Sequence, residues 1–123
     1  MKFRHNVKPL SANKMYFRSK RSKTAEYLRY QNEIRDELMG SEWPFGTDKV
    51  KFSIRVGFSN RGADLDNAIK PFMDTYQSVF EDFNDNKVYI LHMDKDITPK
   101  GEEYISVVIE LSLIHISEPT RPY

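Results

Sequence analysis

The sequence predicts a small single domain of the α+β (mixed α/β) class, with an about four-stranded mixed sheet and two main helices. The strongest signal is the alternation of apolar and polar residues over positions 50–58, which is typical of a strand with one buried face. Two apolar stripes follow the helical period, over positions 24–39 and 65–80. The other strands are predicted at residues 2–7, 88–93 and 104–109. The last two are close enough in sequence to form a hairpin, so strands and helices alternate only in part.

The helices carry recognisable boundary signals. Ser22 or Thr24 is a good cap for the first helix, and Gly40 ends it. Pro71 must lie near the first turn of the second helix, because an interior proline costs about 3 kcal/mol. The predicted buried face of the first helix consists of Tyr27, Gln31, Ile34 and Leu38, with Leu28 beside it.

Composition excludes several classes of protein. The 123 residues are 39% hydrophobic and 30% charged, which fits one soluble domain. The chain has no cysteine, so disulfides, zinc–thiolate sites and thiol nucleophiles are ruled out. No apolar run approaches the roughly 20 residues of a membrane span, and the N-terminus is too polar for a signal peptide. We therefore expect a cytoplasmic protein without a membrane partner.

The net charge of +1 hides two segments of opposite sign. Residues 1–35 carry ten Lys/Arg against two Glu, and residues 36–123 carry nine Lys/Arg against sixteen Asp/Glu. The basic segment could hold a polyanion and the acidic segment a cation. Ordinary solvated surface is the alternative interpretation.

Residues 111–123 read LSLIHISEPTRPY. This segment resembles a translated sequencing adaptor read through the end of a truncated gene, which implies a probable non-native tail. The domain itself would then span residues 1–110. No role is assigned to His115.

Two carboxylates follow the predicted strand at positions 50–58. Asp64 and Asp66 are two residues apart, so in an extended segment they point the same way. Mg²⁺ is typically held by one or two carboxylates together with substrate phosphate. Lys70 would share a helical face with Asp66 and could steady a developing oxyanion. The alternative is that Asp66 caps the helix and Lys70 is a surface partner.

A third acid would complete the predicted metal site. Glu81, Asp82 and Asp85 all precede the strand predicted at residues 88–93. If that strand pairs beside residues 50–58, Asp85 could approach the first two aspartates. The spacing alone does not choose among the three acids.

Four features follow one another along the chain: DLDN at residues 64–67, Lys70, Asp74, and Asn84-Asp85 before Val88. Together they resemble the RusA family of Holliday-junction resolvases, small dimeric endonucleases of bacteria and phages. The sequence PLSAN at residues 9–13, followed by Tyr16 and a basic stretch, is similar to the family's opening motif. The resemblance spans residues 3–110.

The resemblance implies a homodimeric enzyme that cuts four-way DNA junctions in recombination and repair, with Mg²⁺ as cofactor, for which Mn²⁺ could substitute. It implies metal-binding catalytic carboxylates at Asp64, Asp66 and Asp85, and an essential lysine at Lys70. Asn84 departs from the paired acids of the family. Some relatives have several arginines in the turn before DLDN, whereas this chain has only Arg61 there as a candidate DNA contact.

A basic loop precedes the first helix, with Tyr16 and Phe17 interleaved among its cations. Such residues would bind phosphates with little sequence preference and a strong salt dependence. The predicted DNA-binding residues are Asn13, Lys14, Arg18, Lys20, Arg21, Lys23 and Arg61. Asn13 could equally shape the loop, and a solvated basic loop is the alternative for the rest.

Two other functions remain open. One is a non-catalytic nucleic-acid-binding protein of the same fold, and the other is a nuclease that prefers forks or flaps. The chain has no glycine-rich phosphate loop and no nucleophile-elbow pattern, so a nucleotide cofactor is not expected.

Overall fold

The computed structural model describes residues 1–17 and 22–112. One four-stranded mixed sheet and two helices form a small α+β domain, so the predicted fold class is confirmed. The strands are β1 (Lys2–His5), β2 (Val50–Phe58), β3 (Val88–Ile97) and β4 (Tyr104–Leu111). The helices are α1 (Ala25–Leu38) and α2 (Ile69–Val79). Short 3₁₀ turns occur at Ala12–Lys14, Asp66–Ala68 and Asp85–Lys87.

The strand order is β1-β4-β2-β3, with β3 parallel to β2 and β4 antiparallel to both β1 and β2. The expected hairpin between the last two strands is therefore wrong, because β2 lies between them. The most regularly apolar strand takes a central place, where both of its edges are paired. The parallel pairing of β2 with β3 requires a crossover connection, which α2 provides.

The helices cover one face of the sheet. Val50, Phe52 and Ile54 alternate toward this side and are buried, as the sequence predicts. On α1 the predicted face is buried, whereas Leu28 is exposed. Thr24 caps α1 by accepting a hydrogen bond from the N–H of Tyr27 at 3.2 Å. No helix within residues 1–17 and 22–112 is both long and apolar enough to cross a membrane.

On the opposite face of the sheet, Tyr104 lies across β2 at Gly57. A Cβ at position 57 would collide with the Tyr104 ring, so glycine is required there. The Tyr104 hydroxyl donates to Asp96 at 2.7 Å, which ties β4 to β3 across the intervening strand. The guanidinium of Arg4 lies 3.9 Å from the centre of the Tyr104 ring.

Strand β4 extends one residue into the segment that resembles an adaptor. Leu111 pairs with Val50, and the N–H of Ser112 donates to the carbonyl of Lys49 at 2.9 Å. Residues 113–123 lie outside the described residues. The proposed boundary near residue 110 thus falls at the end of the last strand.

His5 joins β1 to both helices. Its ring is completely buried, with Nδ1 3.0 Å from Glu37 Oε1 and Nε2 2.6 Å from the Tyr76 hydroxyl. Both contacts are satisfied by a neutral ring, with Nδ1–H donating to Glu37 and Nε2 accepting from Tyr76. Burial lowers the pKa of His5 below its usual 6.5, and the hydrogen bond and charge of Glu37 oppose this shift in part.

Because the pKa of His5 is lower in the folded state than in the unfolded chain, the unfolded chain takes up its proton first as the pH falls. The His5 contribution to stability is therefore present above pH 6.5 and is lost as the pH drops toward the folded pKa. We expect urea unfolding to show lower stability at about pH 5.5 than at about pH 7.5.

His5→Gln should lower the free energy of unfolding at neutral pH by about 1–3 kcal/mol, because buried partners lose a hydrogen bond. It should also flatten this pH dependence. The control is His92→Gln at an exposed position on β3, which should leave the pH dependence unchanged. If the free energy of unfolding of His5→Gln depends on pH as strongly as that of the wild type, His5 is not the source of this dependence.

Candidate functional site

The two segments that resemble a nuclease family lie against each other. The 3₁₀ turn Ala12–Lys14, from the opening motif, packs on the turn Asp66–Ala68 and on the start of α2. Ser11 caps the first turn by accepting from the N–H of Asn13 at 3.3 Å. Segments more than 50 residues apart in the sequence thus meet at one end of the sheet.

Asp64 and Asp66 lie between the end of β2 and the start of α2, and both are exposed. The side-chain amide of Asn67 donates a hydrogen bond to Asp64 Oδ2 at 3.5 Å. Within residues 1–17 and 22–112, neither carboxylate forms an ion pair. The caps of the 3₁₀ turn and of α2 are Leu65 and Ala68, without side-chain hydrogen bonds. Asp66 is therefore not acting as the helix cap.

Lys70 pairs with Asp74 and not with Asp66. Its ammonium lies 3.0 Å and 3.3 Å from the two Asp74 carboxylate oxygens, one helical turn further along α2. The hydrogen bond and then the charge of Asp74 raise the pKa of Lys70, with smaller contributions from Tyr16 and Asp85. Lys70 therefore stays protonated at neutral pH. The sequence motif contains Asp74 but carries no signal that Asp74 is the partner of Lys70.

Asp85 lies at the far end of α2 from Asp64 and Asp66. Since β2 and β3 are parallel and Val50 is opposite Val88, the residues just before β3 lie where β2 begins. The 11 residues of α2 rise roughly 16 Å along the helix axis, although the charge of Asp85 still contributes to the raised pKa of Lys70. The N–H of Asp85 donates to Gln77 Oε1 at 2.9 Å.

The structure therefore does not bring the three predicted carboxylates together. Strand β3 does pair beside β2, as the expectation required, but its direction carries Asp85 away from Asp64 and Asp66. Within the described residues, no group of three or more His, Cys, Asp or Glu is placed to hold a metal ion.

The donor set at Asp64 and Asp66 nevertheless suits Mg²⁺. Both side chains offer hard carboxylate oxygens without a cation partner among the described residues. Mg²⁺ commonly keeps several waters and needs only one or two protein carboxylates when a phosphate completes its coordination. Leu65, between them, has helical backbone angles (φ -63°, ψ -40°) and Asp66 begins a 3₁₀ turn, so the extended segment that would point both carboxylates the same way is not formed. Either aspartate could supply a carboxylate to a cation that a phosphate also binds, whereas a site built from protein ligands alone does not fit them.

Lys95 supports the backbone that leads to the two aspartates. Its ammonium, on β3, donates to the carbonyls of Arg61 and Ala63 at 2.7 Å and 2.6 Å. It also lies 5.7 Å from the centre of the Phe58 ring. A local pattern contains no signal for this role, because Lys95 lies beyond the predicted end of its strand and a lysine there suggests ordinary surface.

The predicted DNA-binding residues divide into three groups. Asn13 and Lys14 are exposed on the 3₁₀ turn beside the aspartates, and Arg61 is exposed in the turn before them. Lys23 is half-buried, and its ammonium donates to Gln31 Oε1 at 2.8 Å. Arg18, Lys20 and Arg21 lie outside the described residues.

A cleft of about 650 Å³ opens between the loop after β1, helix α1 and the end of β2. We call it the N-terminal cleft. Asp64 and Asn67 line one wall, and Ser11 and Lys14 of the opening segment line another. The two motifs that carry the family resemblance therefore border one and the same space.

A scan against protein-family models finds no match to the chain, and a search of curated proteins finds none either.

The contacts of Lys95 predict a local effect of its removal. Lys95→Met should speed hydrogen–deuterium exchange in residues 60–68, because the turn loses two hydrogen bonds from an ammonium. Global stability should fall by no more than about 1 kcal/mol, since the group is exposed. Lys100→Met, at another exposed lysine, is the control. Equal exchange in both variants would show that Lys95 does not hold the turn.

Proposed function

We propose that the protein is a Mg²⁺-dependent, structure-selective endodeoxyribonuclease that resolves four-way DNA junctions in recombination and repair, acting as a homodimer. The observation that carries the proposal is the packing of the opening motif against the DLDN motif, whose two aspartates form no ion pair within the described residues. The resemblance to the RusA family supplies the substrate.

The electrostatics of the aspartate pair support a cation. Like charges on two carboxylates that are two residues apart repel each other. Neither Asp64 nor Asp66 has a basic partner within the described residues. A divalent cation shared with a DNA phosphate would relieve this repulsion.

In this proposal Asp64 and Asp66 hold the Mg²⁺ on the exposed edge between β2 and α2. A Mg²⁺ ion held there would supply Lewis-acid chemistry, lowering the pKa of a water and offsetting charge on the phosphate. The chain's own contribution is positional. Lys95 holds the backbone before the aspartates through two hydrogen bonds, and the Ala12–Lys14 turn packs against the Asp66–Ala68 turn.

Lys70 supplies a permanent positive charge one turn into α2. Its pairing with Asp74 keeps it protonated and fixes the direction of its ammonium. A phosphate arriving at Asp66 would meet this charge as a second attractive partner. The catalytic role of Asp85 stays a prediction from the resemblance, since this residue lies at the other end of α2.

A homodimer matches the symmetry of the substrate. Resolution of a junction requires two related nicks, and a two-fold dimer presents two copies of the same site. Residues Lys14 and Arg61, exposed on either side of the aspartates, would contact the strand backbone.

A second candidate is a non-catalytic protein that binds branched DNA. It is favoured by the absence of a three-acid group within residues 1–17 and 22–112. Incubation with a synthetic four-way junction, with and without Mg²⁺, separates the two functions. Metal-dependent nicking supports the nuclease, and binding without nicking supports the second candidate. Parallel incubations with a fork, a flap and a linear duplex define the preferred substrate.

Asp66→Asn should reduce nicking of the junction on the order of 100-fold, the size of effect typical when one electrostatic stabiliser is removed. Binding should be largely retained, because DNA affinity comes mainly from cations. Asp48→Asn, which neutralises an exposed acid outside the motif, is the matched control and should nick normally. Near-normal nicking by Asp66→Asn would show that Asp66 has no part in catalysis.

Lys14→Gln should weaken junction binding and reduce the slope of log affinity against log salt by about 0.9, as expected for one lost phosphate contact. Lys51→Gln is the control, because this lysine lies on the face of the sheet that the helices do not cover. Fluorescence anisotropy over a salt series measures both slopes. Identical slopes would place Lys14 outside the DNA contact.

A further inference from the structure

Two neighbouring aromatic residues close to the candidate site are exposed. Tyr16 is 43% exposed and Phe17 is 52% exposed, and both come shortly after the Ala12–Lys14 turn. Single exposed apolar side chains are common on proteins and need no explanation. Two in succession inside a basic segment combine ring surface with positive charge, which is the combination that proteins use to bind single-stranded nucleic acid.

The two rings belong to a hydrogen-bonded stem. Tyr16 and Lys23 form an antiparallel bridge, and the N–H of Phe17 donates to the carbonyl of Ser22 at 3.0 Å. We call residues 15–17 and 22–24 the aromatic stem. Its backbone hydrogen bonds position the two aromatic residues before any ligand binds.

The aromatic stem is anchored to helix α1. The N–H of Thr24, which caps this helix, donates to the carbonyl of Met15 at 3.0 Å. The ring of Tyr16 packs in a T-shaped arrangement on the buried ring of Tyr27, with 5.9 Å between the ring centres. A side chain that is held in place and still exposed loses little conformational freedom when it binds a ligand.

The charge around the two rings is positive. Positions 14–23 contain five Lys/Arg and no Asp/Glu, namely Lys14, Arg18, Lys20, Arg21 and Lys23. Lys14 is exposed and forms no ion pair within the part of the chain that the structure describes. The ammonium of Lys23 donates to the neutral amide of Gln31, so its charge is not cancelled there. A ligand that matches this surface is flat and anionic.

The aromatic stem also lies beside the lysine of the candidate site. Tyr16 contributes to the raised pKa of Lys70, so its side chain is near the Lys70 ammonium. The carboxylate of Asp74 is already paired with Lys70 at 3.0 Å. The Ala12–Lys14 turn, which leads into the stem, packs on the Asp66–Ala68 turn. A DNA strand bound at the aspartates would therefore pass close to the two exposed rings.

We infer that Tyr16 and Phe17 form a stacking surface for unpaired DNA bases, with Lys14 on a neighbouring phosphate. The inference rests on the proposed function for the identity of the ligand. A base at a branch point is more easily unstacked than a paired base within a duplex, so it reaches such rings at a lower cost. The aromatic stem would thus favour branched over linear DNA, a preference that a metal held by carboxylates does not supply.

The test uses the full chain without metal, so that binding is measured and no strand is cut. Fluorescence anisotropy gives the affinity for a four-way junction, a single strand and a linear duplex over a salt series. The duplex offers phosphates with every base paired, and the single strand offers free bases without a branch. Phe17→Ala should bind the junction and the single strand about 5- to 100-fold more weakly, the range for loss of one base–aromatic stack, and the duplex almost as before. Its salt slope should not change, because no phosphate contact is lost.

Two further variants separate stacking from a general apolar contact. Phe17→Trp should keep the affinity of the wild type, whereas Phe17→Leu should lose as much as Phe17→Ala, because leucine has no ring to stack. Tyr89→Ala is the matched control: this tyrosine on β3 is also 52% exposed, and its removal should change no affinity. The melting temperature of Phe17→Ala should equal that of the wild type, since the ring is largely outside the core.

Three results would overturn the inference: unchanged affinity of Phe17→Ala for the junction and the single strand, an equal loss of affinity for all three DNAs, or wild-type affinity of Phe17→Leu. The nicking assay keeps the inference separate from the proposed function. Mg²⁺-dependent nicking of the junction together with any of these results would overturn only the stacking surface. Binding of the single strand that depends on Phe17, without nicking of the junction, would overturn only the nuclease.

Discussion

The parallel pairing of β2 with β3 governs the geometry of the candidate site. A parallel pair cannot be joined by a tight turn, so the chain must return along the sheet, and α2 makes that return. Residues that follow β2 and residues that precede β3 are consequently placed at opposite ends of one helix. Asp66 and Asp85 are close in sequence yet separated in space for this reason.

This constraint changes how the charged residues should be grouped. Asp64 and Asp66 belong with the opening motif and with Lys95, which together define their backbone. Lys70 and Asp74 continue along α2 as a fixed ion pair in the direction of Asp85. The candidate site thus consists of two exposed aspartates followed by a lysine–aspartate pair along α2.

The elements with strong periodicity were predicted well from the sequence. Strand β2 has the predicted bounds, and α1 begins after its predicted cap at Thr24. The order of the strands in the sheet could not be predicted. The same apolar segments are compatible with a hairpin between β3 and β4 and with the observed order, in which β2 lies between them. The Lys95 contacts depend on tertiary packing, for which a local pattern contains no signal. The resemblance to the RusA family remains a prediction.

The position of β3 at the end of the strand order has a consequence for self-association. An outer strand of 10 residues offers unpaired backbone groups to another chain. The second half of β3 contains Asp94, Lys95 and Asp96 in succession, and such charges disfavour the addition of another strand. The first half contains the partly exposed Tyr89 and Leu91. Any unwanted edge-to-edge aggregation should therefore start at the beginning of β3, with the charged half limiting how far it can spread.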